Sequence, residues 1–269
     1  INKDIITAIY WYKQAAKEDN NARRNLGYWY FSGMEGVSKD LVESLYWYKQ
    51  AADNGDYVAQ KKVADFYRYG WGIDKNDSIA LEKYISIYTP LSKLLNSTLT
   101  QDDELLLIYN QVCLAIGRMH ARGEGCEKNY ETAFQWYLAC RDYGEAYLYL
   151  YWCYSGIVVK DAQKALQQLI NNRTAKWKDV YGLKMLADHY AKGEMGLSKS
   201  LNIAHEIIDE AITIEPNNPN YYDSKGEFYS MQNNFEKAKE MWLKVKALDA
   251  TFYTKNNTEL NKYIQKQVK

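Results

Sequence analysis

The chain has 269 residues, with 34 Lys plus Arg against 34 Asp plus Glu and a net charge of zero. That balance argues against bulk attraction to nucleic acid or to an anionic membrane surface. No apolar run reaches the length of a membrane span. Three prolines and a 15% aromatic content that includes 26 tyrosines favour packed helices throughout.

In chain order, the first segment with a clear pattern is Tyr10-Trp11-Tyr12-Lys13-Gln14-Ala15-Ala16. It returns 36 residues downstream as Tyr46-Trp47-Tyr48-Lys49-Gln50-Ala51-Ala52. A fixed period of this length marks a stacked repeat array. Ala22, Leu26 and Tyr30 lie four apart on one helical face, as do Ala8, Tyr12 and Ala16. Gly33 and Gly36 supply the permissive backbone that ends the first helix of a unit, and Asp40 stands where an N-cap opens the second. A third unit follows from Ala59 to Tyr84, with Asn76 as the cap and Lys83 at the tryptophan position. A fourth runs from Ile116 through His120 and Asn129 to Trp136 and Tyr137. A fifth, fainter one runs from Ala146 to Ala165, and a sixth from Leu186 to Ala211. Trp11, Trp47 and Trp136 recur at the array period, which predicts core packing for all three.

This layout resembles the Sel-one-like repeat, a branch of the tetratricopeptide superfamily. The last unit, with Gly226, Tyr229, Ala238 and Trp242 entered through Pro216-Asn217-Asn218-Pro219, resembles a conventional tetratricopeptide repeat. The resemblance implies an all-α, right-handed α-solenoid of antiparallel helical hairpins, each an A helix and a B helix. The expected organisation is repeats over 1–88, the first truncated; an insertion or extended hairpin connection over 89–104; repeats over 105–215; and the tetratricopeptide repeat with a capping helix over 216–269. The insertion is placed by spacing: Gly27 to Ala64 is 37 residues, whereas Ala64 to Gly117 is 53, with the surplus around Pro90 to Asp103. The capping helix is read from Leu260, Tyr263 and Ile264. The chain opens at Ile1 within a unit, and Ile5, Ile6, Ile9 and Trp11 suit a polar outer face poorly. The expectation is therefore a parent that continues upstream, with the compartment left open between cytoplasm and periplasm or secretion.

No nucleophile motif, phosphate loop or metal-ligand set stands out, so the expectation is a non-enzyme without cofactor or metal. Cys113, Cys126, Cys140 and Cys153, spaced 13, 14 and 13 apart, read as free thiols rather than a zinc or disulfide framework. His120 falls on the tyrosine stacking position and reads as a packed histidine. The Gly-rich stretches at Gly70-Trp71-Gly72 and Gly123-Glu124-Gly125 read as hairpin turns.

In the tetratricopeptide superfamily the A helices line a concave groove, and its outward positions lie at fixed offsets from the small residue of each A helix. Carried onto this chain, they give a partner-binding set of Arg24, Tyr28, Lys61, Arg68, Tyr69, Arg118, Arg122, Trp152, Lys184 and Lys192. Phe31, Asp65, Glu145, Asp188, Asp223 and Glu227 are neighbours at the same offsets. Basic residues with interspersed aromatics fit an extended protein or peptide partner, acidic in character. The resemblance thus implies a protein-interaction scaffold or adaptor. Alternatives are a helical-repeat binder of single-stranded nucleic acid or glycan, and the regulatory module of a larger enzyme. Zero net charge and the lack of a per-repeat base code count against the first of these.

Overall fold

The computed structural model describes residues 3–34, 37–97, 102–158 and 160–252. Among them are thirteen helices, and the only strand-like features are two isolated bridges, Tyr143–Trp177 and Ser155–Lys160. A lone helix α1 (Lys3–Ala15) precedes six antiparallel hairpins. These are α2 (Asn20–Ser32) with α3 (Leu41–Asp53), α4 (Tyr57–Tyr69) with α5 (Asp77–Ser97), and α6 (Asp103–Arg122) with α7 (Tyr130–Ala139). Then come α8 (Gly144–Tyr154) with α9 (Ala162–Thr174), α10 (Val180–Lys192) with α11 (Leu201–Ile214), and α12 (Pro219–Met231) with α13 (Phe235–Leu248). The chain divides into two units, the first ending at Arg141 and the second beginning at Asp142. This is the all-α, helical-repeat solenoid class.

Local chemistry explains the hairpins. The Asp40 carboxylate accepts the backbone N–H groups of Val42 and Glu43, and Asn76 does the same for Ile79. Each satisfies donors that a helix start leaves without partners. At the other end, Gly33 (φ 66°) takes the left-handed conformation and returns its N–H to Trp29. Gly70, Gly123 and Gly193 end their A helices in the same way.

Small residues then set the hairpin spacing. A methyl group at Gly117 would come 2.5 Å from the Tyr137 ring, and one at Gly27 would come 3.0 Å from the Tyr48 ring. Ser44, fully buried, donates its hydroxyl to the Gly27 carbonyl at 2.6 Å and ties the same pair of helices. Within the first unit a core of Tyr84, Ile87, Leu91, Ile116 and Met119 forms between α4, α5, α6 and α7. Within the second, Leu169, Leu183, Leu186, Ile207 and Phe228 do the same.

Three expectations are revised or lie beyond view. The surplus at Pro90 to Asp103 goes largely into longer helices, because α5 continues through Pro90 to Ser97 and α6 begins at Asp103. The buried Ile87 and Leu91 hold the helix across a proline that removes one of its hydrogen bonds. Trp11 is not a core residue: it is 63% exposed and touches Tyr10 edge-on. Trp47 packs against Leu26 and its neighbours on α2. The closing helix expected from Asn257 onward falls outside the described residues.

Candidate interaction surface

In each unit the A helices touch one another: α4 meets α6, α8 meets α10, and α10 meets α12. No two successive B helices pack comparably among the described residues. A-helix side chains of α4 and α6, and of α8, α10 and α12, therefore share a face within their units.

In the first unit that face is laced with ion pairs. Arg24 on α2 reaches Asp56 at the start of α4 (3.3 Å) and Glu104 at the start of α6 (3.1 Å). Lys61 pairs with Asp65 at 2.9 Å, one helical turn away. Asp65 is buried and also accepts the Tyr84 hydroxyl at 2.5 Å. Burial and the adjoining Asp65 charge push the Tyr84 phenol far above its ordinary pKa, so it stays a donor.

Arg68 was expected to meet a partner. Instead it is only 4% exposed, and its Nε and Nη2 both donate to Glu124 Oε2, at 3.2 and 2.9 Å. Its charge is consumed inside the fold. Phe31 is likewise turned inward, packing edge-on against Phe66 and Trp71. The residues left outward are Tyr28, Tyr69 and Arg122. The two tyrosines are 54% and 51% exposed, and Tyr69 stacks on Trp71 at 4.8 Å between centroids. Arg122 is exposed and lies 3.5 Å from Glu124, which it shares with Arg68. Arg118, one turn earlier on α6, is half-buried.

In the second unit, Trp152 is exposed with its ring edge-on to Tyr151. Lys184 pairs with Asp188 at 2.6 Å, and Lys192 is exposed. Glu227 is half-buried; its carboxyl is raised above the ordinary range by burial first, then by Asp223 and Asp188. Tyr151 and His189 meet at 3.2 Å, and the other imidazole nitrogen lies 3.0 Å from Glu194.

Sequence reasoning missed Glu124, Glu104 and Asp56 as the residues that occupy the groove arginines. Glu124 lies 56 positions from Arg68 in a turn read as purely structural, and no local pattern links the two.

The thiols are free, with Cys113 and Cys153 buried and Cys126 and Cys140 half-buried. Cys126 Sγ sits 3.3 Å from His120 Nδ1. Burial raises the thiol and lowers the imidazole, which holds the pair neutral rather than as the thiolate and imidazolium of a nucleophile. Among the described residues no group of His, Cys, Asp or Glu could hold a metal ion, and no helix is long and apolar enough to cross a membrane.

Comparison with known proteins agrees with this architecture. The Sel1 repeat matches residues 1–20, 21–56, 58–82, 111–139 and 138–167, just over half of the chain. A crystal structure of a Sel1 repeat protein from Oxalobacter formigenes is similar, with a TM-score of 0.68 and 24% identity over 86% of this chain and 89% of that one. The structure of c5321, a protective antigen of uropathogenic Escherichia coli strains with an SLR fold, is similar with a TM-score of 0.62 and 21% identity. That alignment covers 89% of this chain and 48% of c5321, so the chain spans about half of that protein's length. No curated protein matches. The fold is that of Sel1-type helical repeats. The chain belongs to the Sel1 repeat family.

Proposed function

We propose that the chain is a non-catalytic interaction scaffold that takes an extended, acidic peptide along the A-helix face of α2, α4 and α6. The observation that carries this reading is the pairing of outward aromatic rings, Tyr28 and Tyr69, with the outward guanidinium of Arg122, on helices α2, α4 and α6 that Arg24 ties together through Asp56 and Glu104. Rigid aromatic surface contributes contact area at low entropic cost, and a guanidinium fork recognises carboxylates. Arg122 holds Glu124 at 3.5 Å and has five N–H donors in all, enough for a second carboxylate. Arg24, Lys61 and Arg68 hold the face in shape through internal pairs and are positioning residues in this scheme. Arg118 and Arg122 remain the contact pair. Trp152, Lys184 and Lys192 form a separate patch on the second unit.

The test is fluorescence anisotropy with a labelled acidic peptide bearing a free C-terminal carboxylate, set against a lysine-rich control. Arg118→Glu with Arg122→Glu is expected to weaken binding by at least about tenfold, the loss of one or two charge-assisted contacts. Binding equal to wild type would remove the assignment.

A further inference from the structure

The repeat carries a substitution that scaffolding does not use. On α3, Trp47 packs, as Tyr30 does, against the buried cluster of Ala16, Ala22 and Leu26. Its indole N–H donates to Glu43 at 3.0 Å, and the same carboxylate lies 3.6 Å from Lys13. The fourth unit repeats this use of tryptophan, with Trp136 edge-on to Tyr88 at 4.7 Å. One period after Trp47, the sequence replaces both central groups. Lys83 stands at the Trp47 position, and Ile79 stands at the Glu43 position. Lys13, Ala16, Leu26 and Tyr30 become Lys49, Ala52, Val63 and Tyr67, while Lys17 becomes Asp53 and Arg23 becomes Gln60.

The result is a cavity of about 410 Å³ at the position where α3 and α7 carry an indole. Val63 and Ile87 are its apolar floor and Tyr67 one wall, while Lys49, Lys83 and Asp53 also line it. The Lys49 and Lys83 ammoniums lie 5.9 and 5.6 Å from the same Tyr67 ring centroid. Lys13, by contrast, has Glu43; among the described residues neither Lys49 nor Lys83 has an ion-pair partner. Replacing an indole and a glutamate by Lys83 and Ile79 leaves two ammoniums beside Tyr67, with the Asp53 carboxylate also on the lining. Its size falls within the range of small-molecule sites, which combine apolar walls with a few placed charges.

We infer that this cavity between α3, α4 and α5 binds a small molecule made of a flat aromatic ring carrying a carboxylate or phosphate. The ring lies in the vacated indole space against Tyr67, and the anion bridges the Lys49 and Lys83 ammoniums. The site is independent of the A-helix face and of any peptide bound there.

The experiment is isothermal titration of the full chain at low salt with indole-3-acetate and with adenosine monophosphate, each against its ring-free counterpart, acetate or inorganic phosphate. At least one ring-bearing anion is expected to bind with a Kd below about 1 mM, and more tightly than its ring-free counterpart. Lys83→Met, which keeps the space and removes one charge, should weaken it about tenfold or more. Lys83→Trp, which supplies the indole that α3 and α7 carry at this position, should abolish it while raising the thermal midpoint. Should Lys83→Trp fail to fold, as judged by circular dichroism, the double variant Lys49→Met with Lys83→Met decides in its place. Failure of both ring-bearing probes to bind, unchanged affinity in Lys83→Met, retained binding in a folded Lys83→Trp, or equal binding of the ring-free anions would each overturn the inference.

Discussion

The two copies of Tyr-Trp-Tyr-Lys-Gln-Ala-Ala, on α1 and α3, are identical in sequence and unlike in environment. In the second copy Trp47 is half-buried against α2 and hydrogen-bonded to Glu43, while in the first Trp11 stands 63% exposed. A repeat motif thus assigns a residue its direction on a helix; the neighbouring hairpin decides what it meets. The position just after the small A-helix residue makes the same point with charge. Asp65 there is held by Tyr84 and Lys61, whereas Glu227, its counterpart four hairpins later in the sixth, faces Asp223 and Asp188.

The largest effect should come from removing a groove charge that has become internal. Arg68→Ala leaves Glu124 Oε2 without its two Arg68 donors and is expected to cost roughly 3 kcal/mol in urea denaturation, near the lower end for breaking a buried pair. A loss of a few tenths would mean that Arg68 is an ordinary surface residue after all. Next in size, Trp47→Ala should cost about 2–3 kcal/mol through lost packing. The matching change Trp11→Ala should stay within about 0.5 kcal/mol, as for exposed positions. Equal costs would erase the contrast between the copies.

A smaller effect tests the acidic pair. A carboxyl whose folded pKa is raised contributes stability fully below its ordinary value and loses that contribution as pH rises through the raised one. Glu227 therefore weakens the fold at pH 7. Glu227→Gln should lift the thermal midpoint there by about 1–2 °C, and the gain should vanish below the ordinary carboxyl value of 4.5. A gain that persists at low pH would show that charge is not the cause.

Much of the fold is legible because helical repeats are local. Asp40 caps the helix that it directly precedes, Gly33 ends the one just before it, and Gly27 meets Tyr48 only one helix away. At Pro90 the sequence alone points to a connection, because proline and polar residues break helices in isolation. Buried Ile87 and Leu91 override that tendency. The interaction face was legible as a set of positions and not as a set of available charges. Arg68 and Arg122 look alike in sequence, yet one is buried on Glu124 and the other is outward.

Period, helix boundaries and the small-against-aromatic contacts were thus written in the residues themselves, since each depends on groups within one or two helices. Which charges face outward, which tryptophan is covered and where the array opens a cavity were decided only by tertiary packing. Those outcomes turn on pairs such as Arg24 with Glu104, separated by 80 residues, whose meeting depends on how successive hairpins stack.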